Sequence, residues 1–372
     1  MKRRTLVQLA ATSAGYAWMN SLFSGCRRLD NLEVRANNLV WRMPDESEPH
    51  ERTWMAFGAS QRIWGTHLLP AVQDNLATIA RSIAEYEPVS MLVREAEYDR
   101  AAQMCGSGVA LVHCPLDDLW IRDTGPVFVK GDPVGIAGID FNFNGWGQKQ
   151  AHRHDADVAS FVIEQTGSQA IATQLVLEGG AIEVDGQGTA MMTESSVLNP
   201  NRNPGLSKSE FEAFLKPLLG LSKIIWLPGI RGRDITDGHI DFYARFIRPG
   251  VVIAAYEPDP AFFDHAVTTT NLDLLRSETD ANGDPLEVIV LDNPQTIRPT
   301  FETNAFAAGY INFYVVNGAV IIPEFGDAWA DDTARSVLQD LYPNRDIVPL
   351  NIDAIAAGGG GIHCTTQQQP QA

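Results

Sequence analysis

The chain has 372 residues, of which 45% are hydrophobic and 20% charged. This apolar content can bury a sizeable core, which excludes a wholly disordered protein. The formal net charge of −18 excludes the basic face typical of nucleic-acid-binding proteins, so we predict no nucleic-acid partner. An acidic surface suits a small cationic ligand, although it also serves solubility alone.

The first 26 residues differ in character from the rest of the chain. A basic start, MKRR, precedes a modestly apolar stretch that is rich in small residues and free of acidic ones. This pattern predicts an export signal over residues 1–26, and Arg3 and Arg4 resemble the twin-arginine type. The stretch FSGC resembles a lipoprotein processing site with Cys26 as the lipidated residue, although Phe23 stands where leucine is usual. A disordered basic tail is the alternative.

We therefore expect an exported protein of the periplasm or cell envelope. Residues 27–40 are predicted to form a linker and residues 41–372 one domain. No later segment contains about 18 uninterrupted apolar residues, so no transmembrane helix is expected. Membrane contact would come only through a lipid on Cys26.

Apolar periodicity and helix-start signals predict three helices. Residues 67–86 place apolar side chains on one face, residues 207–219 begin with a capping box of Ser207 and Glu210, and residues 331–342 form the third helix. Short apolar runs elsewhere predict strands: VSMLV, GVALVHC, PVFVK, GIAGIDF, TQLVLEG, IIWLPG, VVIAAY, EVIVL, YINFYVV and AVIIPEF.

A glycine opens a short predicted strand at four places, Gly188, Gly250, Gly318 and Gly361, at irregular intervals. This recurrence indicates a repeated strand–helix–strand unit in which each copy contributes one strand to a shared centre.

The cysteines after the signal are Cys105, Cys114 and Cys364. The first two are close enough in sequence to form a disulfide in an oxidising compartment, or they are small buried hydrophobic side chains. Cys364 is left over, which marks it as a candidate reactive thiol. A structural metal is not predicted, because the adjacent pairs His113–Cys114 and His363–Cys364 would rarely both face one ion.

Four stretches combine polar groups with turn glycines in a way that a core would avoid. Each begins or ends at an apolar strand, where catalytic loops are usually held. They are LDDLWIRDTGP (116–126), LEGGAIEVDGQGT (177–189), DITDGHIDFY (234–243) and GGGGIHCTTQQQP (358–370).

Together these stretches supply acids, a histidine and a cysteine, which suit chemistry on a guanidinium. Carboxylates grip its N–H donors in pairs, a thiolate is a nucleophile strong enough to attack its central carbon, and a histidine can protonate departing ammonia and then activate water. His239 and Asp241 stand at i and i+2, so on a strand both would face the same ligand.

Seven motifs, in this order, resemble the agmatine deiminase family, which includes bacterial peptidylarginine deiminases. The resemblance runs from about residue 41 to 370 and implies a single-domain α/β fold of the pentein type, a five-bladed propeller with pseudo-fivefold symmetry and a central active site. The motifs are MPDESEPHERTWMAF, DDLWIRDTGP, LEGGAIEVDGQGT, LNPNRNP, GHIDFY, YINFYVVNGAVIIPEFGD and GGGGIHCTTQQQP.

The resemblance also implies roles for individual residues. Cys364 matches the nucleophile that forms a covalent amidino-thioether, and His239 matches the general acid and base. Asp123 and Asp241 match the carboxylates that hold the guanidinium. Taken singly, these side chains could be a buried inert thiol, a structural hydrogen-bonded pair and a turn-forming aspartate, so their joint occurrence carries the prediction.

Two further residues are assigned to substrate binding in the same way. Trp120 matches a tryptophan beside the guanidinium, where its face could stack on the cation, and Glu178 matches an acid that supports His239. A core tryptophan and a loop acid are the structural alternatives.

The choice of substrate is less clear from the sequence. Ile235 stands where agmatine-specific members carry an acid that pairs with the far ammonium, and Phe242 stands where they have asparagine. Asp237, with Asp234, could compensate, so we include Asp237 as a candidate substrate-binding residue.

Three functions remain open. The first is hydrolysis of agmatine to N-carbamoylputrescine and ammonia. The second is deimination of peptidylarginine or another guanidine, which an export signal suits better, although no arginine clearly serves as a carboxylate clamp. The third is an exported binding protein without turnover. An amidinotransferase would need an amine acceptor in place of water. The chemistry requires no organic cofactor or metal.

Overall fold

The computed structural model describes residues 40–131, 133 and 135–372. The predicted export signal, Cys26 and the linker up to residue 39 lie outside the described residues. Within those ranges, none of the helices has the length and apolarity needed to cross a membrane.

Five small sheets, which we call blades 1 to 5, are built to one plan. The first strand of each blade runs antiparallel to the second, and the second runs parallel to the third. In order, the strands are Val127–Gly131, Gly135–Asp140 and Gln169–Ala172 in blade 1; Glu183–Val184, Thr189–Thr193 and Lys223–Leu227 in blade 2; Ala244–Arg248, Val251–Tyr256 and Glu287–Asp292 in blade 3; Tyr314–Val316, Ala319–Glu324 and Asp346–Asn351 in blade 4; Gln367–Pro370, His50–Ala56 and Val89–Val93 in blade 5.

Two blades carry one extra edge strand each. Trp41–Arg42 pairs with the first strand of blade 1, and Val109–His113 pairs with the third strand of blade 5. Blade 5 is assembled from both ends of the chain, because its first strand is the C-terminal one. The indole of Trp54 donates a hydrogen bond to Gln369 Oε1 across this junction, at 3.0 Å.

A helix connects the second strand of each blade to the third, as parallel pairing requires. Apolar side chains of Gln61–Ala84, among them Val72, Leu76 and Ile79, are fully buried against the sheets. The connecting helices are Val158–Thr166, Lys208–Leu219, His265–Ser277, Ala328–Leu341 and Gln61–Ala84, with Tyr98–Cys105 before the edge strand of blade 5. Short helices lie at Ile121–Thr124, Gly145–Gln148, Glu194–Val197 and Asp353–Ala356, and 3-10 turns at Glu95–Glu97, Asp155–Asp157, Gly179–Ala181, Ile240–Phe242, Pro299–Phe301 and His363–Thr365.

These elements confirm the predicted α/β architecture of five repeated units. The set of glycines that marks the repeat differs in one member from the predicted set. Gly188, Gly250 and Gly318 adopt positive φ at the turn between the first two strands of blades 2, 3 and 4. The corresponding glycine of blade 1 is Gly135, with a φ of 91°. Gly361 was wrongly placed in this set, because it precedes a 3-10 turn instead of opening a strand.

Most predicted elements are present, with shifted ends. The helix at 67–86 is Gln61–Ala84 with a break at Gly65, and the helix at 331–342 is Ala328–Leu341. The capping box of Ser207 and Glu210 is confirmed.

Two predicted strands were misread. TQLVLEG is irregular, because the Asn203 side chain bonds both the N–H and the C=O of Val176 and so takes the place of a neighbouring strand. Of YINFYVV, only Tyr314–Val316 is strand.

Cys105 and Cys114 are separate buried thiols and form no disulfide. Burial raises the pKa of Cys105 to about 11 and that of Cys114 to about 12, so both are neutral, apolar side chains at ordinary pH.

Candidate active site

The segment that leads into the first strand of each blade contributes to one site. The short helix Ile121–Thr124 supplies Asp123, and the 3-10 turn His363–Thr365 supplies Cys364. The segments that enter blades 2, 3 and 4 supply the remaining side chains. These are Glu178, His239, Asp241 and Asn312. The fivefold repetition of the fold therefore brings together residues that are far apart in sequence.

Asp123 is buried on the floor of the site and is held by two donors. The Gly180 N–H donates to Oδ1 at 3.1 Å, and the indole of Trp146 donates to Oδ2 at 2.8 Å. Burial raises the pKa of Asp123 to about 6, and the nearby Glu178 and Asp241 add to this rise. At neutral pH the carboxylate is largely ionised and accepts hydrogen bonds.

His239 and Asp241 both reach the site, although they do not share a strand. His239 precedes the 3-10 turn Ile240–Phe242, and Asp241 lies within it. The prediction of one strand face was wrong, because the extended conformation ends at His239, with φ −64° and ψ 150°. A tight turn brings the two side chains to the same pocket instead.

The imidazole of His239 lies among carboxylates. Its Nδ1 is 3.6 Å from Asp123 Oδ1 and its Nε2 is 3.5 Å from Glu178 Oε2. Burial alone would lower the pKa of His239, but Asp123, Glu178 and Asp241 outweigh it and raise the pKa to about 9. The ring is therefore protonated at neutral pH and can donate a proton. Arg202 holds Glu178 in place, with its Nε 3.0 Å from Oε1.

The Cys364 thiol is in contact with Asn312 and Asp241. Asn312 Nδ2 donates to Sγ at 3.3 Å, and the thiol donates to Asp241 Oδ2 at 3.7 Å. Burial, followed by the charges of Asp241 and Asp123, raises the pKa of Cys364 well above its ordinary value. The free site thus holds a neutral thiol, and a bound cation would lower its pKa again.

A pocket opens above these groups. Asp241 Oδ1, a buried atom of a residue that lines this pocket, has no hydrogen-bond partner within the described residues. Buried polar groups are almost always paired, so this orphaned oxygen indicates a polar ligand. A flat cation rich in N–H groups would satisfy the carboxylates and place its centre near Cys364 Sγ.

The glycine run before Cys364 is required by close packing. A Cβ on Gly358 would lie 2.2 Å from the Trp64 ring, and one on Gly360 would lie 2.2 Å from the Trp120 ring. Gly358, Gly359 and Gly360 line the pocket. Two indoles therefore pack directly on the backbone that leads to the cysteine.

Six of the seven predicted site residues meet at this site. Cys364, His239, Asp123, Asp241 and Trp120 line the pocket, and Glu178 lies behind His239. Asp237 does not line it. Its carboxylate is paired with Arg202 and with Lys149 Nζ, at 2.7 Å from the lysine, and accepts from the Gly232 N–H.

Sequence reasoning missed four residues of the site: Trp146, Asn312, His363 and Arg202. A tryptophan between two glycines, in NGWGQ, is the one signal that could have indicated Trp146, which adopts a φ of 55° between Gly145 and Gly147. Asn312, His363 and Arg202 lie in motifs that were recognised, but single polar residues there give no sign of their partners.

Comparison with known proteins adds independent information. Residues 42–370 match the sequence model of the Porphyromonas-type peptidyl-arginine deiminase family. The agmatine deiminase of Stutzerimonas stutzeri strain A1501 is 37% identical over 354 residues, covering 88% of this chain and 95% of the relative. That of Pseudomonas aeruginosa strain LESB58 is 36% identical over 353 residues, covering 89% and 95%. The structure of Enterococcus faecalis agmatine deiminase has a TM-score of 0.84 at 32% identity, covering 89% of this chain and 96% of that chain.

Proposed function

This chain belongs to the Porphyromonas-type peptidyl-arginine deiminase family, and we propose that it hydrolyses a guanidino compound and releases ammonia through a covalent intermediate on Cys364. The observation that carries the proposal is the placement of the Cys364 thiol on a pocket floor with the carboxylates of Asp123 and Asp241. Agmatine, which would give N-carbamoylputrescine, is the first candidate substrate, because the relatives described above are agmatine deiminases.

Binding of the cation starts the reaction. Asp123 and Asp241 hold the guanidinium N–H groups, and the positive charge of the substrate lowers the pKa of the Cys364 thiol, which releases its proton to solvent. The resulting thiolate attacks the guanidinium carbon and forms a C–S bond.

His239 then supplies and recovers a proton. It donates its proton to the amino group that leaves as ammonia when the C–N bond breaks. The neutral ring next takes a proton from the water that attacks the amidino carbon. The C–S bond breaks, the thiolate is restored, and the hydroxyl proton of the intermediate passes to solvent, where the released ammonia becomes ammonium. The thiolate takes up a proton again when the product leaves.

A second candidate substrate, peptidylarginine or another guanidine, is favoured by the outer part of the pocket. Asp123 and Asp241 are the acidic residues that line it, and both lie at its base. Ile235, Thr236 and Phe242 also line the pocket and are only half-buried, so they belong to its outer part. Agmatine carries a second positive charge at its far end, and none of these three side chains is a carboxylate that would pair with it.

The deciding experiment measures ammonia release by the purified protein without residues 1–26. Agmatine, free arginine and an arginine-containing peptide are offered in parallel, with Cys364→Ala as the control. We expect release from agmatine that is lost in the variant. Release from the peptide alone would select the second candidate, and no release, together with a titratable Cys364 thiol, would indicate a different guanidine. No release and no free thiol would favour a binding protein.

We also propose that the protein is exported and, through Cys26, attached to a membrane by lipid. The basic start, the small apolar residues and the FSGC stretch support this proposal. Fractionation of cells that express the full chain, with mass analysis of the mature N-terminus, tests it. A cytoplasmic protein that still begins at residue 1 would contradict it.

A further inference from the structure

His363, the neighbour of the predicted nucleophile, has two carboxylate partners and no part in the chemistry above. The ring is buried, with Nδ1 2.8 Å from Asp241 Oδ2 and Nε2 2.9 Å from Glu46 Oε2. Such a ring connects the substrate-binding carboxylate Asp241 to a charged group behind the site.

The two carboxylates depend on His363 to different extents. Glu46 also accepts hydrogen bonds from Arg245 Nη2 at 2.8 Å, Arg122 Nη2 at 3.1 Å and the Val315 N–H at 3.0 Å. The carboxylate of Asp241 has no nitrogen donor besides His363 in the part of the chain that the structure describes. Burial and the charges of Arg122 and Arg245 lower the pKa of His363, so the ring carries one proton at neutral pH. We assign this proton to Nδ1, because the Asp241 carboxylate needs the donor, whereas Glu46 is already paired with two arginines.

The bond to His363 also decides which oxygen of Asp241 faces the ligand. Oδ2 is engaged by the ring, whereas Oδ1 is buried without a partner. Burial alone would raise the pKa of Asp241, but the hydrogen bond from His363 and the charges of His239 and Arg245 outweigh it and lower the pKa, which keeps the carboxylate ionised.

The backbone of His363 is anchored independently of its side chain. Its N–H donates to Asn312 O at 3.2 Å, and its C=O accepts from Arg122 Nε at 3.2 Å. Because these bonds survive a change of side chain, the turn that carries Cys364 should persist in His363 variants.

We propose that His363 is a positioning residue, whose Nδ1–H holds Asp241 Oδ2 and so directs Oδ1 at the guanidinium. This inference rests on the proposed function, since it assigns the cation to Asp241. It predicts that a donor at the Nδ1 position is what the site requires, whereas a donor at the Nε2 position is dispensable.

Two substitutions separate these positions. The amide of His363→Asn can reach the place of Nδ1 and donate to Asp241, whereas that of His363→Gln reaches the place of Nε2 and donates to Glu46. The probe is 2-chloroacetamidine, a cationic amidine whose chloride is displaced when Cys364 Sγ bonds to its methylene carbon. Neutral iodoacetamide gives the reference rate, and thermal unfolding checks that both variants are folded.

We expect the ratio of the cationic to the neutral alkylation rate to stay within about threefold of the parent in His363→Asn. In His363→Gln it should fall about tenfold to a hundredfold, the range of a charge-assisted hydrogen bond. An unchanged ratio in His363→Gln, or equal losses in both variants, would overturn the inference. Alkylation needs no turnover, so a failure to release ammonia would count against the proposed function alone.

Discussion

The bond from Trp146 to Asp123 offers a sharp test of the proposed chemistry. Trp146→Phe keeps an aromatic ring beside Phe143 but removes the Nε1–H that lies 2.8 Å from Asp123 Oδ2. The carboxylate then retains one donor, the Gly180 N–H at 3.1 Å. Because Asp123 is only 7% exposed, water does not readily replace the lost partner.

The magnitude follows from the charge on the acceptor. A hydrogen bond to a charged group contributes about 1.5–3 kcal/mol, and 1.36 kcal/mol corresponds to one pH unit. The pKa of Asp123, about 6 in the parent protein, should therefore rise by about one to two pH units in Trp146→Phe. The acidic limb of kcat/KM should move by the same amount.

The assay is ammonia release measured from pH 5 to pH 9, with substrate well below KM. We expect a loss of about fivefold to fiftyfold near pH 6 that shrinks to about twofold or less near pH 8, as a shift of one to two pH units implies. Recovery at higher pH is the signature of a displaced pKa, since a merely damaged pocket would lose activity at every pH.

A matched control is available in Trp64→Phe. The Trp64 indole donates to Asp118 Oδ1, also at 2.8 Å, and burial raises the pKa of Asp118 to about 6 as well. Asp118 does not line the pocket, so this variant should leave the acidic limb in place. Equal losses at all pH values in Trp146→Phe, or an acidic limb that moves in both variants, would refute the reasoning.

Three further predictions concern His239, the pocket lining and the glycine run. The pKa of His239 is raised to about 9, so the proton-donating form persists at neutral pH and is lost as pH rises through 9. The value of kcat/KM should therefore fall above pH 9. A ¹⁵N NMR titration of the ring that gave a pKa near 6.5 would contradict this prediction. Ile235→Glu places a carboxylate at the pocket, so the KM for agmatine should fall about tenfold, the effect of one charge-assisted hydrogen bond. Ile235→Gln is the control, because it has a similar shape without the charge. An equal fall in KM in both variants would exclude charge pairing. Gly360→Ala forces a Cβ to 2.2 Å from the Trp120 ring and should reduce the free energy of unfolding, measured in urea, by about 1–3 kcal/mol. In the control Gly108→Ala the new Cβ lies 3.8 Å from its nearest neighbour, Ala84 Cβ, so the free energy of unfolding should change little. Similar losses in both variants would contradict the packing argument.

The sequence could predict which side chains meet at the pocket, because they lie in short motifs that are recognisable on their own. A cysteine after a glycine run, or an acid before Gly-Gly, is recognisable without knowing its partners. The predicted pocket role of Asp237 was not borne out by its placement, because its charge is taken up by Arg202 and Lys149, which lie far away in sequence.

The repeat could be foreseen only in part. Glycines at the turn of Gly188, Gly250 and Gly318 mark the fold because a tight antiparallel connection needs positive φ. The irregular segments 173–178 and 310–313 were read as strands because most of their side chains are apolar. Their backbone groups bond instead to the side chains of Asn203 and Arg245 and to the backbone of His363. Periodicity reports burial and does not report which backbone groups are paired.

The order of synthesis gives the closure of blade 5 a consequence in time. Its first strand, Gln367–Pro370, and Cys364 follow the other site residues in chain order, whereas the partner strand His50–Ala56 precedes them. Domains fold largely as units during or after synthesis, so a growing chain holds the acids and His239 before it holds the thiol. A chain that has not yet reached residue 364 lacks the proposed nucleophile, and the strand that completes blade 5 is added directly after that residue.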